Sequence, residues 1–448
     1  MLKDSALNLF GRYFKGDTLK ARSSRGTLIL TIGMGTERAM RLVRNMILAR
    51  LLAPDSFGLM GIILAAITVM DSFSDIGIGQ SIIQNKDGKD FDYLNAAWWV
   101  GAFRGIALYI VGFLAAPLIC RFYEEPQLLW LLRFTFTAAL FNGFMSPRVF
   151  VLRKEFKFIK STLLLQGSDL FGSFVSIGLA LTMRSVWVLA IGFATQSAFR
   201  CLLSFVFCPI RPSLNVSRAH FRGVVRFGRG MFGLSFLTVI SMQADVFFLG
   251  KMIDAETLGM YVLAVALARQ PTMVFSRTVG NVLLPAFSEK QDNIDAIRKA
   301  YLKIVRVFIA AGLPCATAAL LLASPILTLI YGSRYSAMST TFGVLCYAML
   351  FHMFAIIVGS IYIGVGKPHL HRYYMLLLTT LILTTLYPAI RLSGTLGAAF
   401  ALLFSYAVST ILQFHWLKQI VNLGTIDTLV AIHRSVRIRW ASKEPRCR

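Results

Sequence analysis

Twelve apolar segments constrain what this chain can fold into more than any other feature. They fall at about 27–50, 57–83, 95–119, 128–149, 161–183, 186–208, 229–250, 258–283, 303–324, 340–364, 370–390 and 395–416. A helix needs about 20 apolar residues to cross the hydrocarbon core of a bilayer. The 448 residues are 56% hydrophobic and 15% charged, whereas soluble domains are about 25% charged. The sequence therefore predicts an all-α polytopic membrane protein of about 12 transmembrane helices and excludes a soluble enzyme.

The basic residues are unevenly divided between the two sides that these spans define. Of the 46 lysines and arginines, 32 lie in the termini and in alternate loops, 6 at the opposite span ends and 8 within spans. Cytoplasmic loops of membrane proteins carry the excess of Lys and Arg. The side with 32 basic residues, here called the basic side, is therefore predicted to be cytoplasmic, together with both termini. Basic loops also predict contact with anionic membrane lipids rather than with nucleic acid.

The predicted spans and the distribution of basic residues divide the chain into five segments. They are a cytoplasmic N-terminal segment (1–26), an N-lobe of six helices (27–208), a cytoplasmic linker (209–228), a C-lobe of six helices (229–416) and a basic cytoplasmic tail (417–448). Within the tail, apolar residues recur every three to four positions among arginines between Ile426 and Trp440. That pattern predicts a helix lying on the membrane surface.

The two halves of the chain repeat one another at an offset of 201 residues. RLLAPDSFGLMGI (Arg50–Ile62) aligns with KMIDAETLGMYVL (Lys251–Leu263), so that a basic residue, an acid and a glycine coincide. Because each half has six helices, an even number, both halves have the same orientation in the membrane. The repeat therefore predicts a parallel pseudo-twofold arrangement, which is one of the architectures of transporters.

Thirteen charged residues lie within the predicted spans and away from their ends, where each costs roughly 2.5–3.5 kcal/mol at mid-membrane. Eight of them are cations, all arginine, and the other five are acids. The arginines are Arg38, Arg41, Arg44, Arg104, Arg133, Arg200, Arg269 and Arg277, and the acids are Glu37, Asp71, Asp75, Asp169 and Asp245. Because cations exceed acids, and guanidinium suits bidentate phosphate contacts, a water-accessible cavity for an anionic substrate is predicted. The alternative is that these charges are paired locks between helices, for example Arg44 with Asp75. Pro271, next to Arg269 and Gln270, predicts a kink that lines the cavity.

Signals for catalysis, metals and cofactors are absent from the sequence. It contains no P-loop, its six cysteines form no CxxC pair, and the histidines within spans, His352 and His415, are far apart. These observations predict neither a catalytic site nor a metal site, and no cofactor. The chain is therefore not expected to be an enzyme.

Six short motifs stand in a characteristic order along the chain. They are RLLAPDSFGLMGI (50–62), DIGIG (75–79), RKEFKF (153–158), QADVFFLGK (243–251), LGMY (258–261) and LPAFS (284–288). In this order they resemble bacterial polysaccharide flippases of the Wzx type, within the multidrug/oligosaccharidyl-lipid/polysaccharide exporter superfamily. The resemblance covers about residues 25–420. It implies two six-helix lobes around a central cavity.

The resemblance also implies a function. Such a flippase moves an undecaprenyl-pyrophosphate-linked oligosaccharide across the bacterial cytoplasmic membrane by alternating access, for exopolysaccharide or O-antigen (lipopolysaccharide) synthesis, with other polysaccharide assembly proteins as partners. Arg38, Arg41 and Arg269 are then expected to bind the pyrophosphate, with Arg44, Arg104 and Arg277 as second choices. The acids expected to pair with these arginines or to bind a coupling ion are Glu37, Asp71, Asp75 and Asp245. Arg133 and Arg200 lie nearer span ends, where their side chains can extend to the interface.

Three alternatives stay open from the sequence. A multidrug antiporter of the same superfamily would have the same spans, but cationic drugs favour an acidic cavity. A membrane glycan polymerase or ligase usually has a sizeable periplasmic loop, which this chain lacks. A lipid II flippase resembles the chain as well, although that family typically has fourteen spans.

Overall fold

A computed structural model describes residues 19–75, 77–155, 157–231, 234–291 and 293–421 of the chain. Within these ranges all regular structure is helical. The chain divides into two compact units, Met1–Val239 and Ile240–Arg448, called the first unit and the second unit below. The predicted all-α class is therefore confirmed, whereas the five predicted segments stay a prediction. The predicted tail helix (426–440) lies outside the described residues.

The first unit contains ten helices within the described residues. They are α1 (Leu19–Leu51), α2 (Pro54–Ser74), α3 (Ile78–Gln84), α4 (Phe91–Tyr123), α5 (Leu128–Thr135), α6 (Thr137–Phe144), α7 (Arg148–Lys154), α8 (Phe158–Ala180), α9 (Trp187–Phe207) and α10 (Arg218–Met231). The next helix, α11 (Leu234–Met252), crosses the division between the two units.

The second unit continues with helices of very different lengths. They are α12 (Ala255–Ala268), α13 (Gln270–Thr278), a π-helical turn (Val279–Leu283), α14 (Leu284–Glu289), α15 (Ile294–Leu321), α16 (Ala323–Ile330), a 3₁₀ turn (Ser333–Met338), α17 (Ser339–Gly364) and α18 (Pro368–Val421). Non-helical backbone angles at Ser393 and Gly394 divide α18 into two parts. Those parts correspond to the last two predicted spans.

Eight helices of the described residues are long and apolar enough to cross a membrane, or nine if the bent pair Leu128–Phe144 and Arg148–Lys154 is one span. This count treats α18 as a single helix and leaves out α11 as well as α1, which carries four charges between Glu37 and Arg44. Each of the twelve predicted spans nevertheless coincides with one helix or with consecutive helices. The chain is a multi-pass membrane protein.

The repeat seen in the sequence extends to the helix boundaries. In the first unit α1 ends at Leu51 and α2 begins at Pro54. At the same offset of 201 residues, α11 ends at Met252 and α12 begins at Ala255. In both helix pairs the second helix has an acid in its first turn, where a negative charge is favoured by the helix dipole.

Three glycines allow α4 and α6 to approach closely. Gly101 and Gly105 stand one turn apart on α4 and face Gly143 of α6. A Cβ added at Gly143 would lie 2.7 Å from the carbonyl oxygen of Gly101 and 2.7 Å from the Cα of Gly105. Small residues at such crossings let helix backbones pack directly in a membrane.

The variant Gly143→Ala is therefore expected to lower the stability of the protein by about 1–3 kcal/mol, because the added methyl group meets rigid backbone. Thermal unfolding of the purified protein measures the effect. Gly178→Ala is the control, since a Cβ there meets nothing within 4 Å. Equal unfolding temperatures for the two variants would contradict this account of the contact.

Glu155 anchors two loops on the basic side of the first unit. Its carboxylate pairs with Lys89 at 2.9 Å and with Lys157 at 2.8 Å. Hydrogen bonds from Lys157 and then Lys89 lower the pKa of Glu155 to about 2, from an ordinary value of 4.5. The pair of bridges therefore joins the loop between α3 and α4 (85–90) to the start of α8.

Glu155 should stabilise the fold over a defined pH range. Because its pKa is lower in the folded state, its contribution is complete above pH 4.5 and is lost as the pH falls through about 2. We expect wild type to unfold at a higher temperature than Glu155→Gln at pH 7, with the same difference at pH 5. Thermal unfolding scans at several pH values measure this difference. Its disappearance already at pH 5 would contradict the lowered pKa.

The segment predicted as a linker contains a structured helix. Val224 of α10 is fully buried against Ile82 of α3 and against Leu94 and Ala97 of α4. Phe221 and Val225 pack against the same cluster, while Arg218 and Arg222 are exposed. Arginines and apolar residues recur at helical spacing, so they occupy different faces of α10. The apolar face packs against the other helices of the first unit, which makes α10 an amphipathic surface helix.

Candidate functional site

Charged side chains from α1, α8 and α9 meet inside the first unit. Arg41 donates from Nη2 to Glu37 Oε1 at 2.9 Å and to Asp169 Oδ2 at 3.3 Å. Arg200 donates from Nη2 to Asp169 Oδ1 at 2.7 Å, and Gln196 donates to the same oxygen. These five residues, together with Arg44, are called the first-unit cluster.

Helical spacing explains how three helices present these groups together. Glu37 and Arg41 are four residues apart on α1 and so share one face. Gln196 and Arg200 have the same spacing on α9, and both reach Asp169 on α8. Asp169 therefore bridges α1 and α9.

Arg44 gives the first-unit cluster a surplus of positive charge. Its Nε and Nη2 both donate to Asn45 Oδ1, at 3.3 and 3.1 Å. Among the described residues no carboxylate lies within ion-pair distance of Arg44. Asp75, the partner suggested for it, instead accepts a hydrogen bond from the backbone N–H of Gly77 at 3.0 Å. The cluster thus holds three arginines and two carboxylates.

A narrow cleft of about 30 Å³ opens onto this cluster. Arg41, whose side chain is 40% exposed, faces the cleft. The lining residues are Thr36, Glu37, Met40, Arg41, Arg44, Gln166, Asp169, Leu170, Ser173 and Gln196. Two guanidinium groups therefore border open space within the helices of the first unit.

The second unit contains a smaller charge pair, the second-unit pair, whose carboxylate is fully buried while its arginine side chain is 19% exposed. Asp245 on α11 accepts hydrogen bonds from Arg269 Nη2 and from the hydroxyl of Tyr261, each at 3.1 Å. Arg269 stands at the break between α12 and α13, directly before Gln270 and Pro271. A helix boundary therefore lies next to Pro271, although α12 and α13 together form one apolar stretch, Ala255–Ser276, and the cavity-lining kink stays a prediction.

Arg104 and Asp71 meet at the end of α2. Arg104 donates from Nε to the carbonyl oxygen of Ser74 at 2.8 Å, and from Nη2 to that of Asp71 at 3.0 Å and to the Asp71 carboxylate. These bonds satisfy carbonyls that the helix end leaves without partners. The Asp71 side chain is 60% exposed. Arg104 therefore caps a helix as well as forming an ion pair.

The remaining intramembrane arginines differ in their surroundings. Arg38 is half-buried on α1, between Glu37 and Arg41. The side chain of Arg277 lies outside the described residues. Arg133 stacks on the ring of Phe113 at 4.2 Å, a cation–π contact. The guanidinium of Arg200, which was expected to extend to the interface, is bound by Asp169 at 2.7 Å.

Asp169, Gln196 and Arg200 are the members of the first-unit cluster that were not among the residues predicted to bind the substrate or a coupling ion. The position of Asp169 in the middle of a predicted span was the signal that could have identified it, because an unpaired charge at that depth in the membrane is energetically costly. Nothing in the sequence marks Gln196. Among the described residues no group of three His, Cys, Asp or Glu side chains could hold a metal ion.

Pairing and surplus charge coexist in these sites. Carboxylates bind Arg41, Arg104, Arg200 and Arg269, as the alternative of interhelical locks proposed. The positive surplus of the first-unit cluster is located at Arg44. This arrangement can bind an anion without first breaking an ion pair.

Comparisons with known proteins agree with this fold. The model of a family described as polysaccharide biosynthesis protein matches residues 47–340. Lipopolysaccharide biosynthesis protein WzxC of Escherichia coli (strain K12) is 24% identical over 396 residues, covering 88% of this chain and 79% of WzxC. The predicted resemblance to Wzx-type proteins is confirmed.

Two solved structures share the fold. The lipid II flippase MurJ, in an inward closed conformation, has a TM-score of 0.74 at 14% identity and covers 94% of each chain. An inward-facing multidrug resistance MATE family transporter of the MOP superfamily has a TM-score of 0.70 at 16% identity, covering 89% of this chain and 98% of that one. Both of these neighbours with the same fold are transport proteins, one a lipid flippase and the other a multidrug transporter.

Proposed function

The chain belongs to the polysaccharide biosynthesis protein family, and we propose that it is a flippase for undecaprenyl-pyrophosphate-linked oligosaccharide repeat units. It would move them across the bacterial inner membrane for exopolysaccharide or O-antigen synthesis, with both termini in the cytoplasm. Similarity to WzxC, a lipopolysaccharide biosynthesis protein, and to MurJ, a lipid II flippase, supports this class of cargo.

The first-unit cluster is the observation that carries this proposal. Its three arginines exceed its two carboxylates, and Arg41 and Arg44 border the cleft. Pyrophosphate carries several negative charges on oxygens that the planar guanidinium can bind in bidentate fashion. Arg44 would bind it first, because it has no described carboxylate within ion-pair distance that it must leave.

The other arginines predicted to bind the substrate would contribute to pyrophosphate binding to different extents. Arg38 and Arg41, on the same helix as Arg44, would share the pyrophosphate, and Arg41 would exchange Glu37 or Asp169 for it. Arg269 would do the same only after leaving Asp245. Arg104 is held at the end of α2, and Arg277 keeps its predicted second-choice role.

Acidic partners offer a route to ion coupling. Protonation of Glu37 would remove one partner of Arg41 and raise the positive charge of the first-unit cluster by one. Asp245 would act in the same way on Arg269. Asp71 and Asp75 lie at the end of α2, where charge pairing and turn formation are their proposed roles.

Ion coupling is tested with the purified protein in proteoliposomes. Flipping should accelerate when a proton gradient or a sodium gradient is imposed in the coupled direction. A flipping rate that ignores both gradients would remove this part of the proposal and leave the cargo assignment intact.

Deletion of the gene followed by lipid analysis tests the cargo. Lipid-linked oligosaccharide should accumulate on the cytoplasmic face of the membrane, because synthesis continues while translocation stops. Re-expression of wild type should restore export. Normal polysaccharide export without the gene would refute the function. The alternative of a multidrug antiporter predicts no such accumulation, and the positive surplus at Arg44 disfavours cationic drugs as cargo.

A further inference from the structure

A groove of about 450 Å³ lies between α4 and α10 on the surface of the first unit. It is separate in its residues from the first-unit cluster and its cleft. The lining residues are Trp99, Phe103, Val216, Arg218, Phe221, Arg222 and Val225. Arg218 and Arg222 are the charged residues of this lining, and its other residues are apolar or aromatic.

Hydrogen bonds from α4 hold the chain that forms one wall of this groove. Asn95 is fully buried, and its Nδ2 donates to the carbonyl oxygens of Ser213 and Asn215, each at 3.0 Å. The backbone N–H of Ser213 returns a bond to Asn95 Oδ1 at 2.9 Å. Trp99 Nε1 donates to the Ser213 carbonyl at 2.8 Å. The groove is therefore held in shape by four bonds beneath α10.

Two arginines give the groove its charge. Arg218 and Arg222 are four residues apart and so lie on one face of α10, in its first two turns. Both are exposed, and no carboxylate of the described residues lies within ion-pair distance of either. The helix dipole adds to their attraction for an anion near this end of α10.

The rest of the groove suits hydrocarbon rather than sugar. Phe103 is 56% exposed although it is aromatic, and Phe221, Val216 and Val225 offer no polar side-chain atoms. The single polar atom of Trp99 is already bonded to Ser213. The groove side chains thus provide no acceptor for sugar hydroxyls, which a glycan would need.

We propose that this groove binds an anionic phospholipid of the leaflet on the basic side of the membrane. The phosphate would lie between Arg218 and Arg222, and an acyl chain would run along Phe103. Trp99 fits this depth, because tryptophan is enriched at the membrane–water interface. A basic amphipathic helix such as α10 characteristically lies in that interface.

The test measures lipid binding to the purified full-length protein by native mass spectrometry. Phosphatidylglycerol should bind more tightly than phosphatidylcholine of the same chain length. The variant Arg218→Gln/Arg222→Gln should bind phosphatidylglycerol about tenfold to thirtyfold more weakly, with phosphatidylcholine binding unchanged. The matched control is Arg211→Gln/Arg226→Gln, which removes the same charge from exposed positions outside the groove and should stay within about twofold of wild type.

Further experiments distinguish a bound phospholipid from other ligands that contain phosphate. Glycerol phosphate without acyl chains should not displace the lipid, since the apolar wall contributes to binding. Phosphatidylglycerol brominated on its chains should quench tryptophan fluorescence, and Trp99→Phe should remove part of that quenching. Equal loss of binding in both double variants would overturn the proposal, as would tenfold tighter binding of undecaprenyl phosphate to the same groove. Neither result depends on whether the protein flips oligosaccharide.

Discussion

Arg269→Ala is expected to lower the free energy of unfolding by about 3–5 kcal/mol, because it leaves a buried carboxylate without its counter-charge. Asp245 is fully buried, and its other side-chain partner is the neutral hydroxyl of Tyr261. A neutral donor keeps one hydrogen bond but does not balance the charge. Thermal unfolding of the purified protein in detergent measures the loss.

Two variants make this result specific. Asp245→Asn/Arg269→Gln removes both charges together and should recover most of the lost stability, because amides of similar shape can bond to each other. Asp71→Asn changes an exposed ion pair and should cost only about 0–1 kcal/mol. If Arg269→Ala and Asp71→Asn destabilised the protein equally, burial of Asp245 would not be the cause.

Arg44→Gln is expected to reduce oligosaccharide flipping by about tenfold to a hundredfold while the protein keeps its abundance and its unfolding temperature. A charge-assisted hydrogen bond to the pyrophosphate is worth about 1.5–3 kcal/mol, and this variant would lose it. No described carboxylate lies within ion-pair distance of Arg44, and the nearby Asp169 keeps Arg41 and Arg200 as partners when Arg44 is removed. Flipping by proteoliposomes with purified lipid-linked oligosaccharide measures the effect. Arg44→Lys should be intermediate, because lysine keeps the charge but lacks the planar fork.

Arg133→Gln is the matched control for Arg44→Gln. It also removes one arginine from a span, but Arg133 stacks on Phe113 and Trp130 outside the cluster. Its flipping rate should stay near that of wild type. Arg41→Ala should reduce both flipping and stability, because Glu37 and Asp169 lose their shared partner. Wild-type flipping by Arg44→Gln, or equal loss in Arg133→Gln, would discard the proposed pyrophosphate site.

Much of the fold could be predicted because its signals are local. The ends of α1 and α2 repeat at the offset found in the motifs, and Pro271 marks the helix break at Arg269. Hydropathy missed the true length of α1, which begins at Leu19 and extends beyond the predicted span. It also missed α10, since an amphipathic surface helix is too polar to register as a span.

The partners of the charges could not be predicted in the same way. Arg41 and Asp169 are 128 residues apart, and their contact depends on how α1 and α8 are rotated about their axes. Arg104 binds carbonyl groups of α2, which side-chain patterns do not reveal. An excess of arginine over acid is visible in the sequence, but its location at Arg44 is not.

The sequence by itself determined that this chain is a bundle of membrane helices in two similar halves, and which charges lie at apolar depth. Those properties depend on residue type summed over about 20 neighbouring positions, so they are readable without coordinates. Only the tertiary structure decided that Asp169 joins Arg41 to Arg200, that Asp245 holds Arg269, and that no described acid comes within ion-pair distance of Arg44. Ion pairs form over a few ångströms between distant segments, and helix packing sets those distances.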